Sequence, residues 1–231
     1  MTLKLPQKTG PLFPPQTGKA KSLVVILHGY GADAHDLFPL SQEWAPSLPE
    51  TAFIALHAPF SCEGNPYGRQ WFSLFDMDAS NRSGMLTYWP MEKLVAGGRE
   101  AAQILNAWID ELLAEYKIGP DKLALVGFSQ GAMLAMHVGL RRDKQIAGIV
   151  AFSGRLLQPE SLGSEIKSKP PVMLRHGDMD EVVPAQNMID AQKYLEDAGV
   201  PADARMDQGM GHSISEQSIN EAAQFLTKNL P

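Results

Sequence analysis

The sequence has almost no cysteine for covalent cross-links, and it has no long apolar run. Cys62 is the one cysteine among 231 residues, which excludes an internal disulfide framework and a zinc site made of thiolates. Pro6, Pro11, Pro14 and Pro15 interrupt the beginning of the chain. We therefore expect neither a secretory leader nor stable membrane insertion, and we predict a cytoplasmic protein.

Positive charge is also scarce. The 26 Asp and Glu residues outnumber the 20 Lys and Arg residues, and the formal net charge is −6. No nucleic acid is expected as a partner, because binding to its backbone requires clustered cations. The one dense basic stretch, Arg141, Arg142 and Lys144, is typical of the C-terminal end of a helix.

Apolar residues are present in the amount that one substantial core requires. Hydrophobic residues make up 44% of the chain and charged residues 20%, which excludes the disordered class. The length suits an α/β protein built around a single core. We therefore predict one domain that spans residues 1–231.

Short apolar runs alternate with longer helical patterns along this domain. The runs are typical of strands buried on both faces of a parallel sheet, and they lie at 22–29, 51–59, 122–127, 146–154, 171–177 and, with a weaker pattern, 202–209. Helical patterns lie at 92–118, 130–140, 187–199 and 215–230, and Gly97 with Gly98 marks a start or a kink in the first. The alternation predicts a mostly parallel central sheet flanked by helices.

KLALVGFSQGAML, residues 122–134, places Ser129 where a strand pattern gives way directly to a helix pattern. In a sharp strand-to-helix turn the residues on either side of the apex approach so closely that side chains would clash, and Gly127 and Gly131 relieve that clash. Such a turn holds the hydroxyl clear of the sheet edge. Ser129 is therefore the predicted nucleophile, with a structural serine between glycines as the alternative.

A serine nucleophile requires a histidine base that a carboxylate orients. In this kind of fold the order along the chain is serine, acid, histidine. Of the histidines after Ser129, His137 lies inside a predicted helix and His176 precedes its nearby acids, so both are interpreted as structural. His212 lies in a glycine-rich loop before the last helix and is the predicted base.

The acid is expected in HGDMDEVVP, at the end of the strand 171–177, which offers Asp178, Asp180 and Glu181. Asp178 can bond to its own backbone, and Asp180 lies further toward the histidine loop, so the residues alone leave both open and favour Asp180. Two backbone N–H groups should stabilise the oxyanion. The candidates are those of Gln130, at the helix start, and Tyr30, in the glycine-rich turn after the first strand.

The turn at Tyr30 also offers two competing interpretations. GYGADA fits a dinucleotide-binding pattern, but the next strand does not end in the acidic residue that would hold a ribose. Asp33, His35 and Asp36 could suggest a metal, but no second cluster of ligands accompanies them. We therefore predict no cofactor and no metal.

The segment 60–90 lacks a clear period, and long irregular segments in compact domains tend to be functional. We predict that it flanks the active site. Some of its apolar side chains are expected to form a wall that binds the substrate, with sealing of the core as an equal alternative: Trp71, Phe72, Phe75, Met85 and Trp89. Met133, on the helix after Ser129, is expected to face the core.

Six motifs, in order and over nearly the whole chain, resemble the phospholipase/carboxylesterase family of α/β-hydrolases, which includes acyl-protein thioesterases: HGYGAD, GRQWF, GFSQGAM, FSG, HGDMDEVVP and GMGHSI. The resemblance implies an α/β-hydrolase fold without a large cap domain, an acyl-enzyme mechanism and no cofactor. It implies Asp180 as the catalytic acid and His212 as the histidine. The residue after HG, Tyr30, stands where many relatives carry leucine.

The HGYGAD and GRQWF forms look like the bacterial esterases of that family. We therefore predict a serine carboxylesterase for small to medium acyl chains, with a small-molecule ester as its partner. An acyl-thioesterase or lysophospholipase with the same three residues is the alternative within enzymes, and a non-catalytic binding protein is the alternative outside them. The resemblance also implies a homodimer as an option.

Overall fold

The central sheet of the protein has seven strands. The computed structural model describes residues 6–231 except for the Asn81 side chain, so the first five residues lie outside the described part. The strands are β1 Leu12–Phe13, β2 Ser22–Leu27, β3 Thr51–Leu56, β4 Phe60–Ser61, β5 Arg69–Gln70, β6 Leu123–Phe128, β7 Gly148–Phe152, β8 Val172–Gly177 and β9 Ala202–Asp207. The sheet has the order β1-β3-β2-β6-β7-β8-β9, and β4 pairs with β5 in a separate hairpin.

The predicted mostly parallel sheet is confirmed. Every pairing within it is parallel except that of β1 with β3, which is antiparallel. All residues of β2, β3, β7 and β8 are buried, as expected for strands covered by helices on both faces. The sequence did not indicate β1, because a strand of two residues is too short to show a period.

Helices cover both faces of the sheet. They are α1 Ala34–Leu37, α2 Pro39–Trp44, α3 Met77–Ser83, α4 Met91–Tyr116, α5 Gln130–Gly139, α6 Leu162–Glu165, α7 Gln186–Asp197 and α8 Glu216–Asn229, with 3₁₀ turns at Ala45–Ser47, Pro120–Lys122 and Pro159–Ser161. Buried side chains of α4, α5 and α7 form one apolar cluster with the sheet, and those of α1, α2 and α8 form the other. In α4 the buried Leu105, Trp108, Ile109 and Leu112 follow the period of a helix.

Two predictions about local structure need correction, and for Gly97 and Gly98 the correction concerns the predicted helix start. The helix α4 does not begin at Gly97 and Gly98 but runs through them from Met91. These glycines permit close packing, because a Cβ atom on Gly98 would lie 2.6 Å from Leu157 Cδ1. The segment 60–90 is also less irregular than predicted, since it contains the β4–β5 hairpin and the helix α3.

The order of the strands reverses between β2 and β6. The chain passes from β2 to β3 on one side, and later returns at β6 on the other side of β2. Loops that leave the carboxyl ends of parallel strands at such a reversal open a crevice where ligands bind. Tyr30 follows β2 and Ser129 follows β6, so both lie at this crevice. No separate cap domain is present among residues 6–231, and none of the helices there is long and apolar enough to cross a membrane.

Candidate active site

Ser129 forms the turn between β6 and α5 and adopts a strained backbone conformation. Its φ is 52° and its ψ is −117°, in a region that residues with a side chain rarely occupy. The Ser129 amide donates a hydrogen bond to the Phe152 carbonyl at 2.9 Å, which fixes the turn against the neighbouring strand β7. A non-glycine residue held in this way has the geometry of a nucleophile elbow.

The two glycines around Ser129 have different neighbours. A Cβ atom on Gly127 would lie 2.4 Å from the Gly131 carbonyl carbon. This is the clash between the two positions that the sequence predicts. A Cβ atom on Gly131 would instead lie 2.1 Å from the Leu27 carbonyl oxygen. Gly131 therefore serves mainly to let the first turn of α5 approach the end of β2.

Asp180 and His212 are joined by a hydrogen bond. His212 Nδ1 lies 2.7 Å from Asp180 Oδ2, and the amides of Val182 and Val183 donate to Asp180 Oδ1 at 2.9 and 2.8 Å. Burial by itself would raise the pKa of Asp180, but the hydrogen bonds from His212 and Val183 outweigh it and hold that pKa below its usual value. The carboxylate is therefore ionised and aligned with the imidazole at neutral pH.

The other two downstream histidines are buried, and one of them, His176, also lies against Asp180. His176 Nε2 lies 2.7 Å from the Val183 carbonyl oxygen and 3.2 Å from Asp180 Oδ2, so it anchors the loop that carries the acid. His137 is buried within α5, and burial lowers its pKa to about 4. Both histidines are buried, as expected for the structural roles that the sequence predicts.

Asp178 bonds to a different partner from the one predicted. Instead of turning back on its own backbone, its Oδ1 accepts a hydrogen bond from the Gly209 amide at 2.7 Å. The Asp178 amide in turn donates to the Asp207 carbonyl at 3.1 Å, and the Met179 amide donates to that of Met210 at 2.9 Å. These bonds tie the loop after β8 to the loop that carries His212.

Ser129 and His212 line one cavity of about 700 Å³. The His212 ring packs on Phe128, with ring centroids 4.7 Å apart. The hydrogen bonds found among the described residues do not include one between the Ser129 hydroxyl and His212. Bonds of this kind are often long or poorly aligned without substrate and shorten when it binds.

The turn after β2 lies directly against Ser129. A Cβ atom on Gly29 would be 3.4 Å from Ser129 Cβ, and Tyr30 and Gln130 both line the cavity. Neither the Tyr30 amide nor the Gln130 amide has a hydrogen-bond acceptor among the described residues. Both amides are thus free to bind a ligand oxygen.

The Gln130 side chain has a role that the sequence did not indicate. It turns into the core, where Oε1 accepts from the Trp71 amide at 2.9 Å and Nε2 donates to the Phe72 carbonyl at 2.7 Å. The Trp71 indole donates to the His28 carbonyl at 2.9 Å. This buried network fixes the segment after β5 beside the start of α5.

The cavity wall differs in part from the predicted one. Phe75 and Trp89 line the cavity, but Trp71 and Phe72 do not, because both are buried in the core beneath it. Met85 does not form part of the cavity wall as predicted, because it is 72% exposed and lies outside the cavity.

Further apolar side chains complete this wall. Met133 is buried in the apolar core, as predicted, and also lines the cavity. Other apolar side chains there come from the segment 60–90, from α4 and from the loop after Asp180: Leu74, Tyr88, Met91, Leu94, Val182 and Val183.

Charged residues in the cavity were also missed. Arg155 lines it, three residues after the end of β7, and so do Asp36 and Glu181. No periodic pattern distinguishes an arginine that faces a cavity from one on the surface. The one available signal was that Arg155 directly follows the FSG motif.

The residues once considered as metal ligands have another role. Asp33 caps α1 by accepting a hydrogen bond from the His35 amide at 2.7 Å. Within residues 6–231, no group of three or more His, Cys, Asp or Glu side chains is arranged to hold a metal ion.

This topology, with a serine at the turn after the strand next to β2 and an aspartate and a histidine on later loops, is that of the α/β-hydrolases. A family model described as phospholipase/carboxylesterase matches residues 14–230. The chain therefore belongs to the phospholipase/carboxylesterase family, and it is a hydrolase.

Individual relatives agree with that assignment. The chain is 28% identical to acyl-protein thioesterase 1 of Kluyveromyces lactis over 222 residues, covering 91% of this chain and 93% of the relative. It is 26% identical to esterase YpfH of Escherichia coli over 216 residues, covering 92% and 84%. The crystal structure of esterase PE8 is 43% identical and superposes with a TM-score of 0.89, covering 97% of this chain and 100% of that one.

Proposed function

We propose that the protein is a serine carboxylesterase in which Ser129, Asp180 and His212 form the catalytic triad. The observation that carries the proposal is the 2.7 Å contact between His212 Nδ1 and Asp180 Oδ2 in the cavity that Ser129 also lines. A carboxylate in this position selects the imidazole tautomer whose Nε2 is free to accept a proton. The strained turn at Ser129 supports the role of its hydroxyl as the nucleophile.

In the first half of the reaction, His212 Nε2 takes the Ser129 hydroxyl proton while Oγ bonds to the acyl carbon. The bond between that carbon and the alcohol oxygen then breaks, and Nε2–H returns the proton to the departing alcohol. In the second half, water attacks the acyl-enzyme and gives its proton to Nε2. Collapse of this second intermediate releases the acid and restores the Ser129 hydroxyl.

The negative charge that develops on the carbonyl oxygen is assigned to the backbone amides of Tyr30 and Gln130. Both amides lack a partner within the described residues and border the cavity. A preorganised donor of this kind contributes about 3 kcal/mol to the stability of the transition state. Because the Tyr30 amide acts rather than its side chain, the tyrosine is expected to shape the cavity and not the chemistry.

The cavity supports an ester of a small to medium acyl chain as the substrate. Its volume of about 700 Å³ and its aromatic wall, including Phe75 and Trp89, suit an apolar acyl group. We further propose that residues 1–231 act as one domain with 60–90 beside the site. A cytoplasmic location is proposed from the sequence, and the resemblance to the family adds a homodimer as an option.

A thioesterase is a second candidate, and the names of relatives favour it. Acyl-protein thioesterase 1 of Kluyveromyces lactis, Neurospora crassa and Gibberella zeae each match more than nine-tenths of this chain. The same triad would cleave either bond, since the residues define the nucleophile and not the leaving group. A series of p-nitrophenyl esters, assayed beside an acyl-thioester and a lysophospholipid, separates these activities by their kcat/KM values.

The nucleophile is tested by labelling with a fluorophosphonate probe. We expect the wild-type protein to be labelled and Ser129→Ala to be unlabelled and to lose ester turnover by several orders of magnitude. Ser153→Ala is the matched control, because Ser153 also follows a sheet strand and has a positive φ of 48° but does not line the cavity. An unlabelled wild-type protein would favour a binding protein, and a labelled Ser129→Ala would refute the assignment.

A further inference from the structure

Arg155 lines the same cavity as Ser129 and His212 but has no oxygen partner there. Its Nη2 lies 3.9 Å from Met91 Sδ, and this is the one side-chain hydrogen bond of Arg155 found among the described residues. A thioether sulfur is a weak acceptor. Asp36 and Glu181 also line the cavity, but neither forms an ion pair with Arg155.

Each of the other half-buried or buried arginines has at least one oxygen partner, although Arg142 Nε has none. Each of them donates to a carboxylate or to backbone carbonyls: Arg69, Arg141, Arg142, Arg175 and Arg205. Among the half-buried and buried arginines of residues 6–231, Arg155 is thus the exception. Its guanidinium faces the cavity rather than a protein carboxylate.

An unpaired cation in this position is costly. Burial lowers the pKa of Arg155, since removal from water disfavours the charged form. Met91 is the first residue of α4, so the helix presents the positive end of its dipole on that side as well. A guanidinium that lines the cavity of the proposed catalytic serine and has no protein carboxylate as its partner is available to bind an anionic group of the ligand.

The fold holds Arg155 close behind the nucleophile. The Phe152 carbonyl accepts the hydrogen bond from the Ser129 amide, and the chain then turns at Ser153 with a φ of 48°. A Cβ atom on Gly154 would lie 2.6 Å from Ala132 Cβ, so this turn is pressed against α5. Arg155 follows at once on a backbone that is fixed at both the strand and the helix.

We propose that Arg155 binds a carboxylate of the substrate, so that the preferred substrates are esters that also carry a free carboxylate. This proposal rests on the esterase function proposed above. A guanidinium offers two parallel N–H groups that match the two oxygens of a carboxylate. A singly charged carboxylate also suits a cavity that contains Asp36 and Glu181 better than a doubly charged phosphate does.

The test compares pairs of esters that differ in one charge. Monoethyl adipate carries a carboxylate, and ethyl adipamate carries the uncharged carboxamide of similar shape. We expect the wild-type protein to hydrolyse the monoethyl ester with a kcat/KM about 10-fold to 100-fold higher. Monoethyl succinate, glutarate and suberate define the length that the cavity favours, and 6-acetoxyhexanoate places the carboxylate on the alcohol side.

Variants of Arg155 identify the source of the preference. In Arg155→Met the ratio of the two kcat/KM values should fall toward one. Arg155→Lys should retain part of this preference, because lysine keeps the positive charge but lacks the two parallel N–H groups of a guanidinium. Arg82→Met is the matched control, since Arg82 is exposed on α3 and lies outside the cavity. It removes the same charge from the protein and should leave the ratio unchanged.

Different failures have different meanings. If neither the charged nor the neutral ester is hydrolysed, the proposed esterase function fails. If esters are hydrolysed but the wild-type ratio is close to one for the acyl-side and alcohol-side carboxylates, or if Arg155→Met retains a high ratio, only the proposal for Arg155 is overturned. A higher kcat/KM for 2-acetoxyethyl phosphate than for 6-acetoxyhexanoate would reject the carboxylate as the preferred anion.

Discussion

Asp178 Oδ1 accepts a hydrogen bond from the Gly209 amide at 2.7 Å, and this bond joins the loop of the proposed acid to the loop of the proposed base. Asp180, two residues further on, instead bonds to His212 itself. The Asp178 carboxylate therefore binds the backbone of the loop that carries His212, and the Asp180 carboxylate binds the His212 imidazole.

The two aspartates should respond differently to substitution. Asp180→Asn is expected to lower kcat on p-nitrophenyl butyrate by on the order of 10⁴-fold, because an amide favours the wrong imidazole tautomer. Asp178→Asn should retain far more activity, since its side-chain oxygen can still accept from Gly209. Asp178→Ala should fall between them. The opposite ranking of the two Asn variants, in proteins with unchanged circular dichroism, would contradict the choice of acid.

Gly131→Ala should destabilise the protein although alanine favours helices. The new methyl group would lie 2.1 Å from the Leu27 carbonyl oxygen, and relief of such a contact moves α5 away from β2. We expect the free energy of unfolding in urea to fall by about 1–3 kcal/mol. Esterase turnover should fall with it, because Gln130 and Ser129 begin the same helix.

Gly163→Ala is the control for that experiment. Gly163 lies in α6, and a Cβ atom there would have nothing within 4 Å. This substitution should leave the free energy of unfolding unchanged or raise it by about 0.5–1 kcal/mol. Equal stability of Gly131→Ala and the wild-type protein would argue against the close approach of α5 and β2.

Glu63 organises the segment that follows β5. Its Oε1 accepts from the amides of Leu74 and Phe75 at 2.8 and 2.9 Å, and its Oε2 accepts from the Ser73 hydroxyl at 2.6 Å. Burial acts to raise the pKa of Glu63, but the hydrogen bonds from Ser73 and Phe75 outweigh it and leave that pKa lowered. The stabilisation is therefore present at neutral pH and is lost as pH falls below about 4.3 and through the folded-state pKa.

Glu63→Gln should consequently lower the free energy of unfolding by about 1–2 kcal/mol at pH 7 and by less at pH 3. Urea unfolding at the two pH values measures this difference. Glu43→Gln is the control, because Glu43 is exposed and makes no hydrogen bond with its side chain among the described residues. If Glu63→Gln lowers the free energy of unfolding by the same amount at both pH values, the lowered pKa of Glu63 does not contribute to stability.

The sequence predicted those features that produce a local pattern. The parallel strands were found as apolar runs that end in glycine or proline, and the turn at Ser129 was found because Gly127 and Gly131 flank it. The chain order of serine, acid and histidine reduced the candidates to His212 and two aspartates. Geometry favoured Asp180 only slightly over Asp178, and the resemblance to the family then implied Asp180 as the acid.

The cavity wall could not be predicted in the same way, because it depends on the direction of side chains in a segment without a period. Trp71 and Phe72 look equivalent to Phe75 in the sequence. The side chain of Gln130 bonds to the backbone at Trp71 and Phe72 and holds both in the core. The cavity-facing position of Arg155 was not predicted for the same reason, since its place after the FSG motif does not indicate which way its side chain points.

Three of the predicted wall residues should therefore behave differently when replaced by alanine. Phe75 lines the cavity, so Phe75→Ala should raise KM for p-nitrophenyl octanoate more than for the acetate. Trp71 is fully buried, so Trp71→Ala should lower the free energy of unfolding by about 3–5 kcal/mol. Met85→Ala, exposed outside the cavity, should change neither quantity. A change in chain-length preference for Met85→Ala that matches that of Phe75→Ala would mean that Met85 reaches the substrate, and that the segment 60–90 closes over the cavity during turnover.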